Sequence, residues 1–534
     1  MRRRQNFNLA ARERNFVIAG SLGLVMAISG CAVGPDFETP KAKVQENWIE
    51  KSDQRVATQT TMSSLWWRAF NDPTLDKLIE RASEQNLSVQ IAGLRILEAR
   101  AQLGVAIGNL YPQTQEGFGN VQGNRLSSRL ANQELLQQSF GNFNVGFDAA
   151  WELDFWGRFR RNIEATDASM IATVADYDDA LVLVTAEVAR TYTTMRTFQV
   201  LIQLARENAR IQREGLKIAE SRFRSGAVSE LDVTQARTLL ESTLADIPEL
   251  QANLQRANNA LSTLLGQPPG GIEALLDGPQ KIPSAPKGVA VGLPAELLRR
   301  RPDIRAAELN AAAASARIGV AKSDLYPRFF LFGEIGTQSS DAANLFGSGS
   351  LFLTVGPGFR WSILNYGRIT NNVRTQDARF QQTLVTYENT VLNAAREVED
   401  ALIGFLKAQE GEVILRRAVA AAQSSVDIAL TQYREGAESY QRVVDTQRSL
   451  LQERNRLAQS RSSIATNLIA VNKALGGGWQ VRDGRPIVPE AMQVEMRRRT
   501  NWGDLLPPPA PPTPETLTTP PSAGNAPIFV APKW

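Results

Sequence analysis

The chain of 534 residues contains no histidine and a single cysteine. Without histidine there is no Ser-His-Asp or Cys-His activation of a nucleophile, no imidazole metal ligand and no imidazole proton shuttle. One cysteine excludes an internal disulfide and any cysteine-built zinc or iron–sulfur site. No catalytic residue, metal site or cofactor is therefore expected, and Cys31 needs another explanation. Charge of one sign is also scarce: 59 basic side chains face 55 acidic ones. Where the small excess lies decides what it means.

It lies at the N-terminus. Arg2, Arg3, Arg4, Arg12 and Arg14 precede an apolar run, Phe16 to Ile28, of about 13 residues. That is short of the roughly 20 needed to span a bilayer and reads as a secretory leader. Ile28-Ser29-Gly30-Cys31 resembles a lipobox, which makes residues 1–30 a lipoprotein signal and Cys31 the acylated first residue of the mature chain. Ala32, in place of Asp, favours sorting to the outer membrane by the same resemblance. Removing the leader leaves 54 basic and 54 acidic residues, so no polyanionic partner is indicated and no nucleic acid is expected.

The chain repeats itself. Leu103 to Pro112 matches Ile318 to Pro327 at an offset of 215, and Trp151, Gly157, Arg158, Gly226 and Leu265-Gly266 recur as Trp361, Gly367, Arg368, Gly436 and Leu475-Gly476 at 210. The pattern is a duplication. Expected boundaries are 1–30 (signal), 31–72 (N-terminal extended or equatorial segment), 73–280 (first repeat), 281–482 (second repeat) and 483–534 (proline-rich tail, expected to be extended and disordered).

Within each repeat the hydrophobic period changes. Phe143, Val145, Phe147, Ala149, Trp151 and Leu153 alternate with polar or small residues, and Leu351, Leu353, Val355, Phe359 and Trp361 do the same. Such a period of two marks strands with one apolar face, here near 142–154 and 351–363, each with a partner near 113–122 and 328–337. Their length suits a tilted bilayer crossing. Four strands cannot close a barrel, and open edges are not tolerated in lipid, so oligomerisation is expected: two copies would give eight strands, three would give twelve and a channel.

The stretch between Gly157 and Gly226 lacks proline and is rich in helix formers. A continuous helix there would be about 100 Å long, several times a membrane's thickness, and must project into water. Spacings of three and four follow: Val233, Arg237, Leu240, Leu244, Ile247, Gln251, Leu254, Asn258, Leu261 and Leu265, then Val443, Gln447, Leu450, Arg454, Leu457, Arg461, Ile464, Leu468, Val471 and Leu475. This is a coiled-coil seam. Gly226 and Gly436 are placed to turn the helical hairpins.

The segments beginning at Cys31 and Trp66, Leu153 to Arg158, Leu297 to Ile304 and Ala474 to Trp479, in this order, resemble the TolC-like outer membrane factors, closest to the NodT/OprM-like lipoprotein branch that serves resistance-nodulation-division efflux systems. The resemblance covers roughly residues 31–482. It implies a mainly α fold with membrane β: a duplicated protomer of long coiled-coil hairpins and four strands, forming a homotrimer with a twelve-stranded barrel in the outer membrane and an α-barrel in the periplasm. It also implies an exit duct working with a periplasmic adaptor (membrane fusion protein) and an inner-membrane transporter. The cargo expected is small molecules such as drugs. Alternatives are type I protein secretion, metal-ion efflux or a non-channel periplasmic coiled-coil scaffold.

In that family the helical barrel closes at its periplasmic tip. The matching gate candidates are Tyr433, Gln441, Arg442, Asp445 and Arg448, with Glu230 and Asp232 in the first copy. Asp445 and Arg448, at i and i+3, can pair along the helix or between protomers, and a triplicated Asp445 would form an acidic ring. Gln441 and Arg442 depart from the apolar or acidic residues common there. Arg299-Arg300-Arg301 and Arg497-Arg498-Arg499 read as solvated or ion-paired surface.

Overall fold

The structure, a computed structural model, describes residues 32–58, 63–127, 129, 137–276 and 278–506. The leader and Cys31, and the tail from 507 onward, lie outside the described residues.

Two repeats are laid out alike, except that the thirteen-residue helix opening the first is answered in the second only by the four-residue helical turn Leu297–Arg300. The first holds α1 (Pro73–Gln85), α2 (Leu87–Gly108), β1 (Thr114–Arg125), β2 (Ser139–Leu153), α3 (Arg158–Arg224) and α4 (Glu230–Leu264). The second holds α5 (Pro302–Ser323), β3 (Arg328–Ser339), β4 (Leu351–Arg360), α6 (Arg368–Glu435) and α7 (Tyr440–Ala474). Helices α3 and α6, of 67 and 68 residues, dominate the molecule. Each folds back on its partner, α4 or α7, and α3 also packs on α7 and on α2 and α5. A short parallel pairing of Val56–Ala57 with Val289–Ala290 ties the N-terminal segment to the inter-repeat linker.

Local chemistry explains where the helices begin. Asp72 caps α1, its carboxylate accepting from the backbone N–H of Thr74 and Leu75, with Pro73 in the first helical position. Asp154 does the same for α3, accepting from Phe159 and Arg160 across the turn at Gly157. Its neighbour Trp156 accepts from Val33 N–H through its carbonyl and donates its indole N–H to Pro327. The Leu153 to Arg158 motif is thus the joint between strand, helix and N-terminal segment.

The four strands form one antiparallel sheet in sequence order. The two hairpins join through β2 and β3, and the outer edges of β1 and β4 have no partner strand among the described residues. One face carries Val121, Val145, Phe147, Leu331, Ile335, Leu351, Leu353, Val355 and Phe359, all exposed. The other carries Glu116, Asn142, Asn144, Asp148, Glu334, Gln338 and Arg360. Apolar outside and polar inside is the face pattern of a membrane barrel. At the apolar face's lower end the repeats match again: Trp151 donates to the Leu110 carbonyl and Trp361 to that of Leu325. Among the described residues no helix is long and apolar enough to cross a membrane.

Several expectations shift. Strand β4 stops at Arg360, short of 363, because its last partner is Arg328 and β3 has no residue to offer beyond it except Pro327, which lacks an N–H. Strand β1 runs to Arg125 and β2 begins at Ser139, so the first hairpin is longer than its pattern suggests. In α4 the heptad position at Val233, Leu240 and Leu261 is buried, but its companions are Ala236, Thr243 and Ala257; Arg237 and Gln251 face solvent. Small residues at the closer position let the helices approach, which the apolar spacing alone does not reveal. Helix α4 also accommodates Pro248, whose counterpart in α7 is the buried Ala458. Arg301 is not surface: its guanidinium pairs with Asp303 and Glu397 and donates to the Ala474 carbonyl, clasping α5, α6 and the end of α7. Within the segment expected to be extended, Glu490–Arg499 forms a helix, α8, whose first turn holds Glu490 and whose last holds Arg497, Arg498 and Arg499. Those charges suit the helix dipole.

Candidate functional site

The turn end of the two helical hairpins gathers the gate candidates. After α3, Gly226 takes a φ of +74° while Ala227 N–H bonds the Arg222 carbonyl; after α6, Gly436 takes +82° while Ala437 N–H bonds the Gln432 carbonyl. Both are left-handed helix terminations of the kind glycine permits. The chain re-enters α4 through Glu230 and Asp232, acids in the first turn where the helix dipole favours them.

Between the hairpins Tyr433 is 1% exposed. Its hydroxyl donates to Asp232 Oδ2 at 3.1 Å, and its ring meets Tyr440 edge-on at 5.0 Å. Burial first, and then the carboxylate of Asp232, push the Tyr433 hydroxyl well above its ordinary pKa, so it is a permanent neutral donor. Arg222 on α3 lies 4.9 Å over the same ring and donates to the Tyr433 carbonyl, which also accepts from the backbone N–H of Gly436 at the end of α6. Three helices thereby converge on one tyrosine. Arg222 was not among the residues singled out from sequence; its pairing partner is 211 residues away, and only the recurrence of Gly226 as Gly436 hints that the two ends lie side by side.

On α7, Gln441 bridges outward. Its amide N–H donates to Asp445 Oδ1 at 2.9 Å and its oxygen accepts from Gln235 of α4 at 3.1 Å. Arg442, Asp445 and Arg448 are exposed, as is Glu230. Asp445 and Arg448 form no ion pair with each other within the protomer; Asp445 is held by Gln441 instead. Of the two residues that depart from the expected pattern, Gln441 is thus the one that orients the acid. Tyr433 and Asp232 are brought together by the fold, while the Arg442 and Arg448 side chains are exposed and have no ion-pair partner among the described residues. Among the described residues no group of three or more acidic, histidine or cysteine side chains could hold a metal ion.

Known proteins share this architecture. The family model described as outer membrane efflux protein matches residues 78–267 and 293–477, one match in each repeat. Nodulation protein T of Rhizobium leguminosarum bv. trifolii is 32% identical over 461 residues, 85% of this chain and 96% of its own. The cation efflux system protein CusC of Escherichia coli O6:H1 is 32% identical over 459 residues, 86% of this chain and 98% of its own. Among solved structures, the outer-membrane channel OprN aligns with a TM-score of 0.80 at 32% identity, covering 84% of this chain and all of that one. With a repeat that supplies a membrane hairpin and a helical hairpin twice over, and with matches spanning both copies, the chain belongs to the outer membrane efflux protein family: it is an efflux channel of the outer membrane with a large periplasmic part.

Proposed function

We propose that three copies of this chain form the exit duct of a tripartite efflux pump, carrying small molecules such as drugs to the exterior. The observation that carries this reading is the sheet: four strands with an apolar outer face and two unpaired edges. Edges in lipid must be paired, and twelve strands from three protomers leave room for a lumen, where eight would be filled by side chains. The 67- and 68-residue helices then continue the duct through the periplasm towards an adaptor and an inner-membrane transporter of the resistance-nodulation-division type. Cys31 is the lipid-anchored N-terminus. The segment after it supports this, because Val33 and Asp36 are tied to Trp156 and Arg161 at the strand–helix joint, next to the bilayer.

The gate lies at Gly226 and Gly436. Tyr433 and Asp232 hold the hairpins together, and Asp445, oriented by Gln441 and flanked by Arg442 and Arg448, faces the neighbouring protomer or the pore. Efflux of metal ions is the second reading, favoured by the relative named as a cation efflux protein. Deleting this gene together with its partner transporter and profiling drug, dye and metal sensitivity separates the two. A heat-modifiable oligomer in detergent extracts of outer membrane is the expected state; a soluble periplasmic monomer overturns the duct. An inhibitor of lipoprotein signal peptidase should cause a larger precursor to accumulate, and no change in size removes the anchor.

A further inference from the structure

Register fixes which residues share a level on the sheet's polar face. Phe118 lies opposite Gly146, Phe352 opposite Gly336, Phe330 opposite Gly358 and Phe332 opposite Gly356. Each ring lies over its glycine. A Cβ at Gly146 would meet Phe118 at 2.8 Å, at Gly336 Phe352 at 3.0 Å, at Gly358 Phe330 at 2.6 Å and at Gly356 Phe332 at 3.6 Å. Glycine therefore lets four phenyl rings lie along the wall, each of them still partly exposed.

Between these aromatic levels runs a row of charge. Glu116, Asp148 and Glu334 are consecutive cross-strand partners, with Thr354 completing the row on β4. None of the three acids is ion-paired with a described basic residue. The basic strand residues of this face, Arg328 and Arg360, sit together at the lower end, where Arg328 is bonded to Asp324. Arg360 lies 6.0 Å over the Phe330 ring, so one of the four rings already receives a cation.

We propose that this wall is a selectivity surface for amphiphilic aromatic cations, with Phe118, Phe330, Phe332 and Phe352 supplying π faces and Glu116, Asp148 and Glu334 the opposing charge. The inference rests on the sheet forming the wall of a barrel. Carboxylates alone attract any cation; flat rings on both sides of the row add an attraction that only an aromatic or lipophilic body can use. Anions meet a repulsive ring. Three protomers multiply the row around the lumen, in series with the helical gate and independent of it.

The test is block of single-channel current in planar bilayers by the purified full-length oligomer, with probes added on the side of the strand loops. Ethidium is the aromatic cation, tetraethylammonium the non-aromatic one and naphthalenesulfonate the aromatic anion. Ethidium should block at concentrations at least about tenfold below tetraethylammonium, and naphthalenesulfonate should not block. The Phe118→Leu/Phe352→Leu variant should weaken ethidium block about fivefold and leave tetraethylammonium unchanged. The Glu116→Gln/Asp148→Asn/Glu334→Gln variant should weaken both. Phe332→Leu, at a separate level of the sheet, repeats the aromatic test if the first variant fails to form the heat-modifiable oligomer. Equal block by the two cations, or ethidium block insensitive to either class of substitution, overturns the proposal while leaving the channel intact. Absence of any conductance in the unaltered protein overturns the duct itself.

Discussion

The hydroxyl of Tyr433, at the end of α6, donates to the carboxylate of Asp232, in the first turn of α4, at 3.1 Å. These residues are 201 positions apart and belong to different repeats, so this bond joins the two hairpins where their turns come together. A neutral hydroxyl bonded to a carboxylate is worth more than a neutral pair, about 1.5–3 kcal/mol. Tyr433→Phe keeps the ring under Arg222 and removes only this bond. Higher single-channel conductance with an unchanged oligomer is expected; unchanged conductance would separate the pair from gating.

Asp445 carries a different prediction. It is exposed and held by Gln441, so its neutralisation leaves the protomer's core untouched. Asp445→Asn should raise conductance and reduce cation preference, read from the reversal potential in a salt gradient. Gln441→Ala frees the carboxylate but keeps its charge, so it should alter conductance while leaving the cation preference in place.

The two turn glycines are not equivalent. At Gly226 an added Cβ meets nothing within 4 Å, whereas at Gly436 it meets Arg222 Nη2 at 3.2 Å. Both substitutions incur the left-handed backbone penalty of about 1 kcal/mol. Gly436→Ala additionally displaces the guanidinium that caps α6, so it should lower the dissociation temperature of the oligomer more than Gly226→Ala. Equal shifts in a heat-modifiability series would refute the cap.

A half-buried acid sets the pH dependence. Burial raises the Asp179 carboxyl to about 6 from 3.8, with Asp303 adding to the shift and Arg301 opposing it. Because the folded value exceeds the unfolded one, the contribution to stability is fully present below about pH 4 and is lost as pH rises through 6. Asp178, raised to about 6 chiefly by burial, acts in the same window. Asp179→Asn should therefore raise thermal stability at pH 7.5 and have little effect at pH 4. Circular dichroism melts at the two values check this.

The sheet faces can be tested by charge. Val355→Arg places a guanidinium on the apolar face, at a cost of about 2–4 kcal/mol near the bilayer midplane. Thr354→Arg, one residue earlier, points to the polar face. Outer-membrane yield should collapse for the first and persist for the second; similar yields would reverse the face assignment.

Much of this protein follows from the chain alone. The duplication, the alternating strands and the long proline-free helices are written in local periodicities, because period two and period 3.6 arise from backbone geometry within a few residues. The missing histidine and the solitary cysteine exclude most chemistry in the same direct way. Tertiary structure decided what depends on distant partners. Sequence could place Phe118 and Gly146 on strands but not opposite one another, since a slip of one residue turns every side chain to the other face. Nor could it show that Gln441, not Arg448, takes Asp445, or that Arg222 reaches across to cap α6. Arg237 and Ala236 make the point at smallest scale: spacing suggests the first for the seam, and the approach of two helices, which only a small side chain permits, selects the second.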